Sequence, residues 1–175
     1  RLAIAGNIID LGLGKEYDLS ESIERVISQP FAIDDNLDLR EALGKVEWVL
    51  YLGDNAGETV FDRVLIETMN MPVTYVVKGG AILNDATLDD ARDAGLDKVA
   101  RIVPNGSDAP GTILERSSDG FRRLYEDAEL IIAKGQANYE GFSEYENIFF
   151  LLIAKCKLVS TQLSVDEQTW VVKKT

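Results

Sequence analysis

Six short hydrophobic runs recur along the chain, and polar stretches with helical character separate them. The runs cover residues 47–52, 73–77, 100–103, 129–133, 147–153 and 170–172. Near-continuous hydrophobicity over so few residues is typical of strands that are covered on both faces. The pattern therefore predicts about six buried strands.

The stretches between the runs carry helix signals. After the first run, apolar residues recur at helical spacing, namely Val60, Phe61, Val64, Leu65 and Met69. After the second, residues 84–95 end in Gly95, and glycine commonly follows the last turn of a helix. After the third, residues 111–128 have a helical pattern that Gly120 interrupts. Strands that alternate with such helices imply right-handed crossovers. We therefore predict an α/β fold, a three-layer α/β/α sandwich with a Rossmann-like, mostly parallel sheet.

Residues 1–45 follow a different pattern. They contain the segment AGNIIDLG, a helix signal that begins at Ser20, and Pro30, but no strand-like run. We predict a helical lead-in that docks at one edge of the sheet, followed by an α/β core over residues 46–175. Because the chain begins with Arg1 and not with Met, we expect an excised domain or a truncated product.

Composition narrows the classes of partner. The 175 residues include 30 acidic and 18 basic side chains, so the net charge of -12 repels nucleic-acid backbones. No apolar run approaches the roughly 20 residues that cross a bilayer, and the single Cys156 excludes a disulfide within the chain. We expect a cytoplasmic protein without nucleic-acid or membrane partners. The sequence does not indicate the oligomeric state.

The sequence has no histidine. This removes the commonest general base, the Ser-His and Cys-His nucleophile pairs, and a frequent ligand of transition metals. Any catalysis must therefore rely on carboxylates, amides, hydroxyls, lysines or a metal ion held by oxygen.

Polar, glycine-rich segments follow four of the predicted strands. In open parallel sheets, ligands bind beyond the carboxyl ends of the strands. The side chains and glycines found there are Gly53, Asp54, Asn55, Gly57 and Glu58, then Lys78, Gly79, Gly80, Asn84 and Asp85, then Asn105, Gly106, Ser107 and Asp108, and finally Lys134, Gly135, Gln136, Asn138 and Glu140. The four segments predict one polar edge of the sheet.

Helix capping is the alternative explanation for several of these residues. Asn55 followed by Glu58 is close to a capping box, and the NDAT segment suits a cap with an acidic first turn. Capping leaves Asp54 unexplained. Lys134, directly after a buried strand, is not easily explained as solubilising charge. The same argument is weaker for Lys78, because lysine often marks the exit of a strand into water.

Together these residues indicate phosphate chemistry. Asp54, Asn55 and Asp85 offer hard oxygen ligands that suit Mg²⁺ or Mn²⁺. Lys134 and the amide-rich turns that begin at Gly79 and Ser107 could balance the charge of a phosphate. The usual nucleotide-binding loops are absent from the sequence.

Two other functions are compatible with the pattern. The strand-end pocket could belong to a non-catalytic module that binds a nucleotide or a phosphorylated metabolite. It could also belong to a Rossmann-type methyltransferase with residues 53–57 as a degenerate cofactor loop. The absence of a G-x-G element after the first strand counts against the methyltransferase.

Four motifs in a fixed order resemble the damage-control phosphatases. They are AGNIID, LGDNAGETVFD, KGGAILNDAT and IIAKGQANYE, followed by FFLLIAKC, and they span residues 5 to 156. The family consists of metal-dependent enzymes once catalogued as domain of unknown function 89. The motif sequences of this chain are most similar to those of its small archaeal and bacterial members. The segment KGQANYE lacks the Asp and the Arg-Lys pair of the eukaryotic sugar-phosphate branch.

The resemblance implies a Rossmann-like core and a set of site residues. A divalent metal (Mg, Mn, Co or Ni) would be held by Asp54, Asn55 and Asp85, and Lys134 would contact the substrate phosphate. Asn7, Glu58 and Asn84 would line the same pocket. The implied function is hydrolysis of phosphate esters of small phosphorylated metabolites such as sugar phosphates.

Two routes of attack stay open at this point. Either water or the Asp54 carboxylate attacks phosphorus. Of the two roles for Asp54, we favour that of metal ligand over that of nucleophile. Protonation of the leaving group would fall to water or to an acid such as Glu58.

Overall fold

The computed structural model describes residues 1–9 and 28–175. Within these residues the chain forms one seven-stranded sheet and seven helices. In chain order the elements are α1 Leu2–Ile9, β1 Phe31–Asp34, α2 Asn36–Leu43, β2 Val49–Leu52, α3 Thr59–Met69, β3 Val73–Val77, α4 Leu88–Asp93, β4 Arg101–Pro104, α5 Asp119–Glu126, β5 Ile131–Lys134, α6 Gly135–Phe142, β6 Ile148–Ala154, α7 Lys157–Leu163 and β7 Thr169–Lys174. Short 3-10 turns lie at Ala56–Glu58, Leu96–Lys98 and Leu114–Arg116.

The sheet is mostly parallel, as predicted. Its strand order is β1-β7-β6-β5-β2-β3-β4, and only the β6–β7 pair is antiparallel among the strands described. From β2 the chain proceeds outward through β3 and β4, and then returns to place β5 on the other side of β2. The β2–β5 neighbourhood is therefore the switch point at which an open α/β sheet binds its ligands.

Two apolar layers cover the two faces of this sheet. Along β2, Tyr51 packs into one layer with α1, α3 and α4, whereas Leu50 packs into the other with α5, α6 and α7. Strands β2, β3, β5 and β6 are buried at every position. Because both faces are covered, these strands appear in the sequence as continuous hydrophobic runs. The predicted three-layer α/β/α architecture is confirmed.

Strand β1 was not predicted, and it lies within the segment that we expected to be helical. Its residues alternate between half-buried and exposed, and it pairs in parallel with β7 at the edge of the sheet. The apolar run of this edge strand is only three residues long, Phe31 to Ile33, and is half-exposed, so the expectation of purely helical structure was wrong here. The buried Ile4 of α1 and Leu39 of α2 belong to the same apolar layer as Tyr51. The helix predicted from Ser20 lies outside the described residues, and the division at residue 45 stays a prediction.

The predicted apolar stripe of α3 is only partly its buried face: Leu65 and Met69 pack against the core, as expected. Val60 and Val64 are 55% and 44% exposed, whereas Thr59, Asp62 and Ile66 are buried. The physical reason is polar, because two tyrosine hydroxyls of the sheet bind Asp62 and fix the rotation of the helix.

The predictions for the next two helices have different outcomes. Gly95 follows α4 with a positive φ of 74°, as expected for a glycine just beyond a helix. Helix α5 begins only at Asp119, where the Ser118 side chain accepts a hydrogen bond from Phe121 N. The segment before it is loop with one 3-10 turn. Among residues 1–9 and 28–175, no helix combines the length and the apolar character needed to cross a membrane.

Candidate active site

The loops that follow β2 and β3 are tied together by their backbones. Asn55 and Asp85 form an isolated antiparallel bridge, and the N–H of Ala86 donates to the carbonyl of Asp54 at 2.7 Å. This pairing brings the side chains of Asp54 and Asp85 to the same part of the sheet edge. Two of the predicted carboxylates are therefore neighbours in the structure.

Asn55 and Glu58 do not cap a helix with their side chains. The Asn55 amide nitrogen donates to Glu58 Oε1 at 2.6 Å and to Asp54 Oδ2 at 3.3 Å. The capping interpretation of this motif is therefore wrong. Both contacts use the amide nitrogen of Asn55, so its oxygen is the atom that would serve as a ligand.

The cap of α4 is Thr87 and not the Asn-Asp pair before it. The N–H of Thr87 donates to Asp90 Oδ2 at 2.8 Å, and Thr87 Oγ1 accepts from the N–H of Asp90. A reciprocal pair of this kind is a capping box. Helix capping therefore does not explain Asn84 and Asp85, just as it does not explain Asp54.

Lys134 is a buried cation held between two carboxylates. Its Nζ lies 2.6 Å from Glu58 Oε2 and 2.8 Å from Asp62 Oδ1, and all three side chains are almost completely buried. Burial alone would lower the pKa of Lys134, but the negative charges of Asp62 and Glu58 outweigh that effect and raise it above its usual value. Burial also raises the pKa of Glu58, which Lys134 counteracts only in part. The expectation that Lys134 is not a solubilising charge agrees with this geometry.

Asp62 is a site residue that the sequence analysis missed. It accepts hydrogen bonds from the hydroxyl of Tyr51 at 2.7 Å and from that of Tyr75 at 2.8 Å, in addition to Lys134. One signal was present in the sequence, because Asp62 follows Glu58 by four residues and so lies on the same face of a helix. A second was the pair of tyrosines within buried strands, since a buried hydroxyl needs a partner.

Lys78 does not emerge into water, which corrects the weaker interpretation given to it above. It is 5% exposed, and its Nζ lies 3.1 Å from Asp85 Oδ2 and 3.1 Å from the carbonyl of Ala109. It also donates to the carbonyl of Gly111. Lys78 therefore balances the charge of Asp85 and ties the loop after β4 to it.

Gly79 and Ser107 organise the loops beside this pair. The N–H of Gly79 donates to Asn105 Oδ1 at 3.1 Å and to the carbonyl of Ser107 at 2.9 Å, and a Cβ on Gly79 would lie 2.5 Å from the backbone of Gly106. The Ser107 hydroxyl accepts from the N–H of Ala109 at 3.1 Å. Their roles in phosphate binding stay predictions.

The backbones of Asn84 and Asn7 both lie close to this cluster. The carbonyl of Asn84 accepts from the N–H of Ala56 at 2.8 Å, and the residue is exposed. Asn7 belongs to α1, where a Cβ on the preceding Gly6 would lie 3.1 Å from Glu58 Cα, so this helix packs directly on the site. The side chain of Asn7 lies outside the described residues.

Asp54 lies against the start of helix α6. Gly135 has a φ of +77°, and a Cβ on it would overlap Asp54 Oδ2, so this position requires glycine for both conformation and space. Burial, followed by the charge of Glu58, raises the pKa of Asp54 to about 7. The charge of Lys134 opposes this shift, and the charge of Asp85 contributes to it.

The donor chemistry fits a hard divalent cation. The carboxylates of Asp54, Glu58 and Asp62 outnumber the single ammonium of Lys134 in this cluster. Within the described residues, no group of three or more His, Cys, Asp and Glu surrounds one point as ligands would. The candidate set instead combines Asp54 and Asp85 with the Asn55 oxygen, and such oxygen sets are completed by water and substrate phosphate. Two buried acceptors, Asp85 Oδ2 and Asn138 Oδ1, have no hydrogen-bond partner in the described part of the chain, and Lys78 contacts Asp85 Oδ2 as an ion pair.

The fold and the site together define a Rossmann-like α/β protein with an acidic, lysine-containing cluster of side chains at the switch point. The family model described as "Damage-control phosphatase ARMT1-like domain" matches residues 1–171. The chain therefore belongs to that family, and the resemblance seen in its motifs is confirmed.

Three archaeal relatives are similar over almost the whole chain. Uncharacterized protein MJ0202 of Methanocaldococcus jannaschii is 42% identical over 93% of this chain and 57% of the relative. Damage-control phosphatase PH1575 of Pyrococcus horikoshii is 41% identical over 94% and 60%. A damage-control phosphatase of Archaeoglobus fulgidus is 37% identical over 98% and 62%.

A solved structure has the same fold. The crystal structure of the DUF89 family protein PH1575 from Pyrococcus horikoshii superposes with a TM-score of 0.93 at 39% identity, covering 99% of this chain and 63% of that one. The chain thus spans about three fifths of the length of its relatives.

Proposed function

We propose that the protein is a metal-dependent phosphatase that hydrolyses phosphate esters of small phosphorylated metabolites such as sugar phosphates. The observation that supports this most strongly is the meeting of Asp54, Asp85 and Lys134 where β2, β3 and β5 end. Membership of the damage-control phosphatase family, and the names of two relatives, favour the same chemistry.

Asp54, Asn55 and Asp85 are the residues that would hold the metal ion, whether Mg²⁺, Mn²⁺, Co²⁺ or Ni²⁺. When bound, such an ion would polarise the phosphate ester and neutralise part of its charge. Lys78 fixes the position of Asp85 through their ion pair. Gly135 leaves the space that the Asp54 carboxylate occupies.

Lys134 is the residue that would bind a phosphate oxygen. An ammonium group has three N–H donors, and Glu58 and Asp62 accept two of them within the described part of the chain. The third N–H donor is the one that would contact the substrate phosphate. The nucleophile is either water or the Asp54 carboxylate, and the leaving group takes its proton from water or from Glu58, whose raised pKa suits an acid.

Release of phosphate from p-nitrophenyl phosphate tests this function. The assay compares the metal-free protein with protein supplied with each of the four ions. We expect turnover only with metal, and its loss in Asp54→Ala and in Asp85→Ala. Asp97→Ala is the matched control, because Asp97 is exposed in a short turn away from the sheet edge. Turnover without metal, or turnover that survives both site substitutions, would refute the proposal. If no metal supports turnover, a non-catalytic phosphometabolite-binding role takes its place.

A further inference from the structure

Asp62 accepts hydrogen bonds from three side chains of the buried cluster, yet the mechanism above does not give it a step. It is fully buried on α3, and its two carboxylate oxygens accept three hydrogen bonds. Oδ1 accepts from Lys134 at 2.8 Å and from Tyr51 at 2.7 Å, and Oδ2 accepts from Tyr75 at 2.8 Å. The three donors come from three different strands.

We propose that Asp62 is the positioning residue for Lys134, and that the hydroxyls of Tyr51 and Tyr75 hold Asp62 in place for that purpose. The proposal rests on the proposed function in one respect, namely that Lys134 meets the substrate phosphate. It assigns a role to three residues that do not themselves touch the substrate.

The geometry around the tyrosines explains why they can act as a fixed support. Tyr51 and Tyr75 are directly paired in the register of β2 and β3, and their rings stack with centroids 5.3 Å apart. Both rings are fully buried, and burial followed by the charge of Asp62 raises the pKa of each hydroxyl well above its usual value. Both hydroxyls therefore remain protonated and keep donating to Asp62.

The need for such a support follows from the nature of lysine. Its ammonium is carried on a flexible chain of four carbons, so burial alone does not fix its direction. Glu58 provides a single contact at 2.6 Å, about which the ammonium could still rotate. The second contact, with Asp62, removes that rotation and directs the third N–H donor of Lys134.

Stability alone does not explain the arrangement. Buried ion pairs are often no more stabilising than apolar side chains of similar volume, because the charges lose their hydration. Here two hydroxyls, two carboxylates and an ammonium are enclosed in an otherwise apolar layer of the sheet. A positioning role for the residue next to Lys134 accounts for the presence of the two phenols.

The test removes the two hydroxyls and keeps the rings. The Tyr51→Phe/Tyr75→Phe double variant is compared with Tyr125→Phe, a control whose half-buried ring stacks on Phe142 on the opposite face of the sheet. With p-nitrophenyl phosphate and Mn²⁺, we expect kcat/KM of the double variant to fall by about 10- to 100-fold, the range for loss of a partner that orients a functional group. We also expect weaker inhibition by inorganic phosphate, at unchanged Mn²⁺ affinity. Asp62→Asn should show the same pattern.

A second measurement is independent of turnover. In nitrogen-15 spectra of lysine ammonium groups, Lys134 should give a sharp signal, assigned by its loss in Lys134→Arg. We expect this signal to broaden or shift in the double variant and to persist in Tyr125→Phe. A wild-type protein that does not hydrolyse the ester would refute the proposed function, and this spectrum alone would then decide the positioning role. Our inference would be overturned by a double variant that melts at a lower temperature but keeps both the Lys134 signal and, where the wild type is active, the wild-type kcat/KM. The cluster would then be purely structural.

Discussion

Substitution of Gly135 by alanine should disturb the candidate metal site more than the fold. Gly135 begins α6 with a φ of +77°, a conformation that side chains with a Cβ rarely adopt. A Cβ at this position would overlap Asp54 Oδ2 and would lie 3.0 Å from Asp54 Oδ1. Alanine must therefore change its backbone conformation, displace the Asp54 carboxylate, or do both.

The two effects have different magnitudes. A left-handed conformation costs a residue with a Cβ about 1–2 kcal/mol, and with the crowding we expect a loss of about 1–3 kcal/mol in the free energy of unfolding. Displacing Asp54 removes one of the two carboxylates from the candidate metal site. We expect Mn²⁺ affinity to fall by at least about 10- to 100-fold, the range seen when merely the support of a metal ligand is lost.

Urea unfolding and calorimetric titration with Mn²⁺ measure the two effects separately. Gly120→Ala is the matched control, because Gly120 lies in α5 and the nearest heavy atom to its added Cβ is Ser118 Oγ at 4.0 Å. That variant should be unchanged or more stable by about 0.5–1 kcal/mol, with wild-type Mn²⁺ affinity. A Gly135→Ala protein that bound Mn²⁺ as tightly as the wild type would refute the placement of Asp54 as a ligand beside α6.

Three further predictions concern the charges around this edge. Lys134→Met removes the counter-charge of two buried carboxylates and should lower the free energy of unfolding by about 3–5 kcal/mol; a urea titration that gave a loss below about 1 kcal/mol would contradict the buried ion cluster. Lys78→Met leaves Asp85 and two loop carbonyls without their donor, so amide hydrogen exchange should accelerate at residues 105–111 while α3 keeps its protection. Wild-type exchange rates at residues 105–111 in this variant would show that Lys78 does not secure the loop. The pKa of Asp54 is raised to about 7, so metal binding must release its proton below that pH. Apparent Mn²⁺ affinity should therefore rise as pH increases towards about 7 and then level off, and proton release should be seen as buffer-dependent binding enthalpy below about pH 7; affinity that did not change over this range would exclude Asp54 as a titrating ligand.

The sequence predicted those parts of the fold whose burial produces a recognisable hydrophobic pattern along the chain. Strands β2, β3, β5 and β6 are covered on both faces, and their hydrophobic runs identified them directly. Strand β1 is a four-residue edge strand with alternating exposure, a pattern that does not distinguish it from a loop. Helix α3 was correctly predicted, but its buried face was predicted only in part, because its rotation also depends on Asp62 and on tyrosines of two strands.

The site shows the same division between local and long-range information. Asp54, Asp85 and Lys134 were found because each follows a buried strand at the end where parallel sheets bind ligands. The partners of Lys134 lie 76 and 72 residues away in the sequence, so no local pattern predicts those contacts. For Lys78, lysine at a strand end suggested exposure, and only the loop that covers it reveals its burial.

Anomalous diffraction at the manganese edge, from crystals grown with Mn²⁺ and phosphate, tests the central claim most directly. Our account predicts one strong peak within coordination distance of Asp54, Asn55 and Asp85, with a phosphate between the ion and Lys134. A manganese ion bound elsewhere, with these three side chains uncoordinated and phosphate distant from Lys134, would contradict it.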